Sequence, residues 1–152
     1  MALIRRTARV PYSAEQMLRL VNDIEAYPAF LHWCQAAEIE RTEGAVVEAA
    51  LEVGIKGIHR TMRTRNTTDA AAGGGQASIR IEMVQGPLKR LSGGWHFADT
   101  PSGGCDIELA LDYEIQRTPF GMLLRTLFDE IANSQLNAFI RRADVVYGGR
   151  GA

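Results

Sequence analysis

The sequence predicts an α+β fold in which an antiparallel sheet of about seven strands curves around one long C-terminal helix. Three observations predict it. Between about residues 35 and 116, apolar residues recur at every second position. Turn-forming dipeptides punctuate those runs. Residues 119–147 carry apolar side chains at helical spacing instead. The 152 residues are 46% hydrophobic and 23% charged, which fits one globular domain spanning 1–152 and excludes disorder. A chain of this size buries roughly two-thirds of its unfolded surface, so it needs no covalent staples.

Taken in order, residues 3–10 form the first strand. Ile4, Arg6, Ala8 and Val10 share one face, and Leu3, Arg5, Thr7 and Arg9 the other. Pro11 ends the strand. Ser13-Ala14-Glu15-Gln16 has the form of a capping box and opens a helix over 13–24, with Met17, Leu20, Val21 and Ile24 on its apolar side. Pro28 breaks that helix, and a second short one is expected over 26–31. The period then falls to two. Val47, Ala49, Leu51, Val53 and Ile55 alternate with polar or small residues, as do Ile79, Ile81 and Met83. Ile107, Leu109, Leu111, Tyr113 and Ile115 alternate with Asp106, Glu108, Asp112 and Glu114. One-sided alternation describes an antiparallel sheet with one face on a core and one in water. Turns are expected at Glu43-Gly44, Lys56-Gly57, Ala72–Gly75, Gly86-Pro87 and Ser102–Gly104, with Ala70–Gly75 as a mobile hairpin loop. Thr118 caps the last helix, Pro119 takes its first position and Gly148-Gly149 stops it. Its broad stripe is Phe120, Leu124, Leu127, Phe128, Ile131, Ala138 and Phe139. Met122, Leu136 and Ile140 form a smaller stripe opposite, suited to a partner or to packing beneath a helix or loop.

A long helix across a curved sheet is hard to pack solidly. Small inward residues such as Ala49 and Gly93 would leave room between the layers. The expected lining of that space is Trp33, Leu51, Val53, Ile81, Met83, Leu91, Trp95, Phe97, Leu109, Leu111, Leu127 and Ile131, with Trp95 and Phe97 as aromatic walls. The same positions equally describe a filled core.

No catalytic or metal constellation stands out. His32, His59 and His96 lie at no metal spacing, and Cys34 and Cys105 support neither a disulfide framework nor a metal cluster. His32 and Cys34 are close in sequence, a weak pairing for nucleophilic chemistry. Asp129 and Glu130 diverge on a helix, and Gly73–Gly75 lacks the residues of a phosphate loop. Seventeen Lys+Arg against 18 Asp+Glu give a net charge of −1, so no DNA partner is expected. Arg63, Arg65 and Arg80 fall on the outer sheet face with acids. Arg5, Arg9, Arg141 and Arg142 have fewer acids nearby in sequence and are the expected basic patch for a partner. No run reaches the roughly 18 apolar residues of a membrane span, and the N-terminus has no signal-peptide core. The expected location is the cytoplasm, with peripheral contact at the inner membrane as an option.

Three segments carry a resemblance. They are Val10–Met17 running into Leu20–Leu31, Gly86–Leu91 with Gly94-Trp95-His96-Phe97, and Ala132–Phe139 with Arg141-Arg142-Ala143 and Val146-Tyr147-Gly148. Together they resemble the coenzyme Q-binding and ribosome association toxin family, within the START-like (polyketide cyclase/dehydrase-type) superfamily. The resemblance covers essentially the whole chain and implies a helix-grip fold with a pocket under the C-terminal helix. It implies non-catalytic binding of ubiquinone or another polyprenyl lipid in support of respiration, with no required cofactor. Alternatively it implies binding to the large ribosomal subunit that blocks subunit association, or, third, a polyketide cyclase or dehydratase. His32 replaces the family's usual Pro before Trp-Cys, and Leu88 its usual Phe after Gly-Pro. Both changes fall near the expected pocket mouth.

Overall fold

The computed structural model describes residues 2–55, 57–70 and 75–148. In chain order the elements are β1 (Ala2–Val10), α1 (Ala14–Asn22), a 3₁₀ helix (Ile24–Ala29), β2 (Cys34–Glu43), β3 (Val46–Ile55), β4 (Ile58–Ala70), β5 (Gln76–Gln85), β6 (Arg90–Asp99), β7 (Cys105–Glu114) and α2 (Pro119–Tyr147). The seven strands form one antiparallel sheet in the order β1-β7-β6-β5-β4-β3-β2. Every neighbour is a hairpin partner except β1, which closes onto β7 with Ala2 opposite Tyr113 and Val10 opposite Cys105. The two short helices occupy the crossover from β1 to β2.

Local chemistry sets the ends. Ser13 Oγ accepts from the Gln16 amide at 3.1 Å, and Gln16 Oε1 accepts from the Ser13 amide at 2.9 Å, so the capping box forms. Helix α1 stops at Asn22, two residues short of the expected end. The Asp23 amide turns back to Leu20 O at 3.3 Å and tightens the last turn. The next helix begins at Ile24 and is 3₁₀ rather than α, because the segment is short and Pro28 brings no N–H donor. Helix α2 begins as expected, with Thr118 Oγ1 accepting from the Gly121 amide at 2.9 Å and Pro119 in the first turn. The β2–β3 turn needs the left-handed backbone that Gly44 supplies, with φ of 60°. Lys56, Ala71–Gly74 and Gly149 lie outside the described residues, and so does most of the expected mobile loop.

The core fills the space between the inner sheet face and α2. From α2 it takes Leu124, Leu127, Phe128, Ile131, Ala132, Leu136, Ala138, Phe139 and Ala143, all buried. Leu136 therefore belongs to the main core and not to a second stripe. Met122 is exposed and Ile140 half-buried, so that smaller stripe does not exist as a unit. Phe120 also leaves the expected stripe. It sits in the first turn of α2, 37% exposed, with the Arg60 guanidinium 4.3 Å from its ring centroid. At the centre Phe139 is fully enclosed. Tyr27, Phe30 and Trp95 meet it edge-on, with ring centroids at 5.3, 5.2 and 5.1 Å.

Gly93 has a different use from the one its inward position suggests. A Cβ there would lie 2.1 Å from Ala110 O, and at Gly94 2.4 Å from Ile79 O. The glycines allow close approach of neighbouring backbone, and leave no hole. Ala49 is buried in the core.

A cavity between sheet and helix as the candidate functional site

A cavity of about 80 Å³ remains under α2. Its walls come from β3 to β7, α1, the segments before β2, and α2. Of the expected lining, Trp33, Leu51, Ile81, Leu91, Trp95, Leu111 and Ile131 surround it. Val53, Met83, Phe97, Leu109 and Leu127 do not. Val53, Phe97, Leu109 and Leu127 are buried in the solid core, and Met83 is partly buried against it. Phe97 stacks behind Trp95 at 5.8 Å instead of forming a second wall. Both the filled-core and the cavity expectations thus apply, to different residues of one alternating set.

The polar part of the lining comes from positions that apolar periodicity does not mark. Thr64 and Asn66 are both buried, on the inner face of β4 beside Met62. Gln135 Oε1 accepts from Trp33 Nε1 at 3.2 Å, which ties α2 to the segment before β2. The Tyr113 hydroxyl donates to Asp129 Oδ1, and the Tyr27 hydroxyl to Val21 O. Burial, reinforced by that carboxylate, raises the Tyr113 pKa well above its ordinary value. Burial raises Tyr27 in the same way, so both phenols stay neutral. Asn66 is the exception to this pairing. Its Oδ1 is buried with no hydrogen-bond partner among the described residues.

Among the described residues no His, Asp, Glu or Lys lines the cavity, so its titratable wall residues are the two tyrosines. Among the same residues no group of three or more His, Cys, Asp or Glu could hold a metal ion. The His32–Cys34 pairing does not form. His32 is exposed with Nε2 3.1 Å from Glu130 Oε1, and the Cys34 thiol faces Ala36 O at 3.4 Å. Burial pushes the Cys34 thiol up to about 11, and it does the same for Cys105. Both groups are therefore neutral thiols at pH 8. We expect Ellman's reagent to leave them unmodified at pH 8 in the native protein and to titrate both after denaturation. Rapid native modification of either would contradict their burial.

Cross-strand pairing corrects the expected basic patch. Arg9 Nε is 2.6 Å from Asp106 Oδ1 and Arg5 Nε is 3.5 Å from Glu108 Oε2, each across the β1–β7 ladder. These acids lie about 100 residues away in sequence, yet Asp106 is directly opposite Arg9 and Glu108 is diagonal to Arg5 in the ladder. Arg142 is half-buried over the Phe30 ring, 5.1 Å from its centroid. Of the four arginines only Arg141 is exposed without an ion pair among the described residues. On the middle strands Arg65 pairs with Glu48 at 3.0 Å and Arg63 with Glu40 at 3.1 Å, as an outer charged face should. Leu88 is buried, so the change from the usual Phe is absorbed in the core.

At the sheet end that holds the start of α2, large apolar side chains are exposed. Met122 and Leu123 are 50% and 52% exposed, next to Phe120 and the exposed Arg60 and Arg117. Among the described residues no helix is long and apolar enough to cross a membrane.

A sequence profile described as polyketide cyclase / dehydrase and lipid transport matches residues 10–140. The chain belongs to that family. Within the polyketide cyclase/dehydrase and lipid transport family, it is 39% identical over 150 residues to the ribosome association toxin RatA of Escherichia coli K12, spanning 99% of this chain and 92% of that one. It is 25% identical over 141 residues to the coenzyme Q-binding protein COQ10 homolog B, mitochondrial, of Xenopus laevis, covering 90% of this chain and 56% of that protein. Among solved structures, the Zhui aromatase/cyclase from Streptomyces sp. R1128 superposes with a TM-score of 0.79 at 16% identity, over 97% of this chain and 98% of that one. At that identity the family likeness to the cyclase is one of fold: seven antiparallel strands gripping a C-terminal helix.

Proposed function

We propose that the protein associates with the large ribosomal subunit and hinders subunit joining; its RatA relatives are named ribosome association toxins. The observation that carries this reading is the end-to-end likeness, 39% over 150 residues, to a ribosome association toxin. The exposed surface supports it. Phe120, Met122 and Leu123 beside Arg60 and Arg117 have the apolar-plus-arginine composition of an association surface. Arg141 adds an unmatched positive charge on α2. Contacts to RNA phosphates weaken steeply with salt. The test is cosedimentation with purified large subunits across a salt series. We expect binding at low salt, a several-fold loss in Arg141→Glu or in Met122→Ser with Leu123→Ser, and little change in Arg9→Ala, whose charge Asp106 already matches. Absence of cosedimentation at low salt would overturn the reading.

A second reading is favoured by the cavity itself, which is lined by apolar side chains yet holds the unpartnered Asn66 amide oxygen. In this reading the protein binds a hydrophobic ligand, ubiquinone or another polyprenyl lipid, and serves respiratory quinone function at the inner membrane. Small-molecule pockets run to roughly 300–1,000 Å³. A lipid would therefore have to displace side chains to enter the present 80 Å³. Native mass spectrometry of the purified protein, with Trp95 fluorescence during quinone titration, tests it. The absence of both bound lipid and a fluorescence response would exclude this reading.

A further inference from the structure

Asn66 stands in an unusual place. It lies on β4 opposite Val47 of β3 and Ile81 of β5, with 9% of its surface exposed. The cavity it lines is walled largely by apolar side chains, among them Val21, Leu51, Ile81, Leu91, Trp95 and Phe128. Leaving a buried amide unpaired is costly, and an apolar residue of similar shape would avoid that cost. An Asn retained here needs a partner from inside the cavity. Gln135 on the facing helix accepts from Trp33 through Oε1, and its Nε2 donates no hydrogen bond to Asn66 Oδ1.

We propose that Asn66 is the specificity-determining residue of this cavity, and that it selects an apolar ring carrying a hydroxyl group. The inference rests on the ligand-binding reading above and sharpens it. A hydroxyl donates to the orphaned Asn66 Oδ1, whereas a hydrocarbon has no donor to offer it. Size constrains the same ligand. An engineered apolar cavity of about 150 Å³ admits benzene, so a single ring fits the present 80 Å³ only after modest movement of wall side chains. The long, unbranched Met62 is the adaptable part of the wall. Selectivity then follows from polar satisfaction. A site built to bond a hydroxyl discriminates against the analogue that lacks it.

Phenol and toluene, nearly equal in size, are the probes. Their affinities for wild type and Asn66→Leu are measured by ligand-detected NMR and thermal shift, with Asn66→Ser as a second, smaller variant should the Leu side chain disturb packing. We expect wild type to prefer phenol by about tenfold or more, and Asn66→Leu to lose that preference and bind toluene more tightly. Asn66→Ser, which keeps a hydroxyl, should retain a reduced preference. Equal binding of both probes to wild type and variant would overturn the role of Asn66 while leaving a ligand-binding cavity. Binding of neither probe to wild type, with the amide hydrated only by water, would overturn the proposal and the ligand reading together.

Discussion

Replacing Phe139 by Ala is expected to lower the unfolding free energy by about 3–5 kcal/mol, the range for deleting a fully buried aromatic ring. Phe139 has no solvent exposure and is the shared neighbour of Tyr27, Phe30 and Trp95. Its removal breaks three edge-to-face contacts and detaches α2 from both the 3₁₀ helix and the centre of the sheet. Neighbouring side chains are anchored elsewhere, so the site collapses poorly and the loss falls at the upper end. Urea denaturation followed by Trp fluorescence gives the number directly, since Trp95 reports on the same contact. A change under about 1 kcal/mol would mean that this cluster does not hold the helix to the sheet.

The second large effect is expected at Gly93, where Ala should cost about 3 kcal/mol although it adds one methyl group. The added Cβ would meet the Ala110 carbonyl at 2.1 Å. That atom belongs to the ladder joining β6 to β7 and cannot rotate away as a side chain can. Relief requires β6 and β7 to part within the sheet, breaking their ladder. Denaturation midpoints of Gly93→Ala and Gly103→Ala make the comparison. At Gly103 an added methyl would have nothing within 4 Å, and the substitution strains only the turn conformation, φ 95°. A Gly93 variant as stable as wild type would show that the sheet does not depend on this approach.

The fold was legible because each surface has a single requirement. Alternation in β3, β5 and β7 reports which side meets α2, and the α2 limits follow from Thr118, Pro119 and Gly148. The cavity was legible only on its apolar side. Thr64 and Asn66 point inward on β4 between outward-facing Arg63 and Arg65, so the strand reads as polar on both faces and gives no burial signal. Positions such as Val53 and Leu109 share the parity of the cavity residues but lie deeper along their strands, and periodicity carries no information about depth. Charge was misread at Arg5 and Arg9 for a topological reason. Their acidic partners are neighbours through the β1–β7 pairing, and proximity in sequence is the wrong measure of that. Phe120 obeys the helical spacing but lies in the first turn of α2, where it stays partly exposed beneath Arg60.

The closure of β1 onto β7 also dictates when the molecule can form. Strand β1 has its hydrogen-bond partner about 100 residues later in the chain, from Ala2 opposite Tyr113 to Val10 opposite Cys105. At typical synthesis rates that is an interval of roughly 5–20 s during which β1 stays unpaired. The helix that supplies the other half of the core is made later still. Hairpins from β2 to β6 can assemble as they emerge, but the sheet has no lid and no final edge until β7 and α2 have been made. Cooperative folding is thus a late event, paced by a long-range closure of the kind that makes β-rich topologies slow. A nascent chain stalled before β7 would present its apolar sheet face to whatever lies at the exit tunnel.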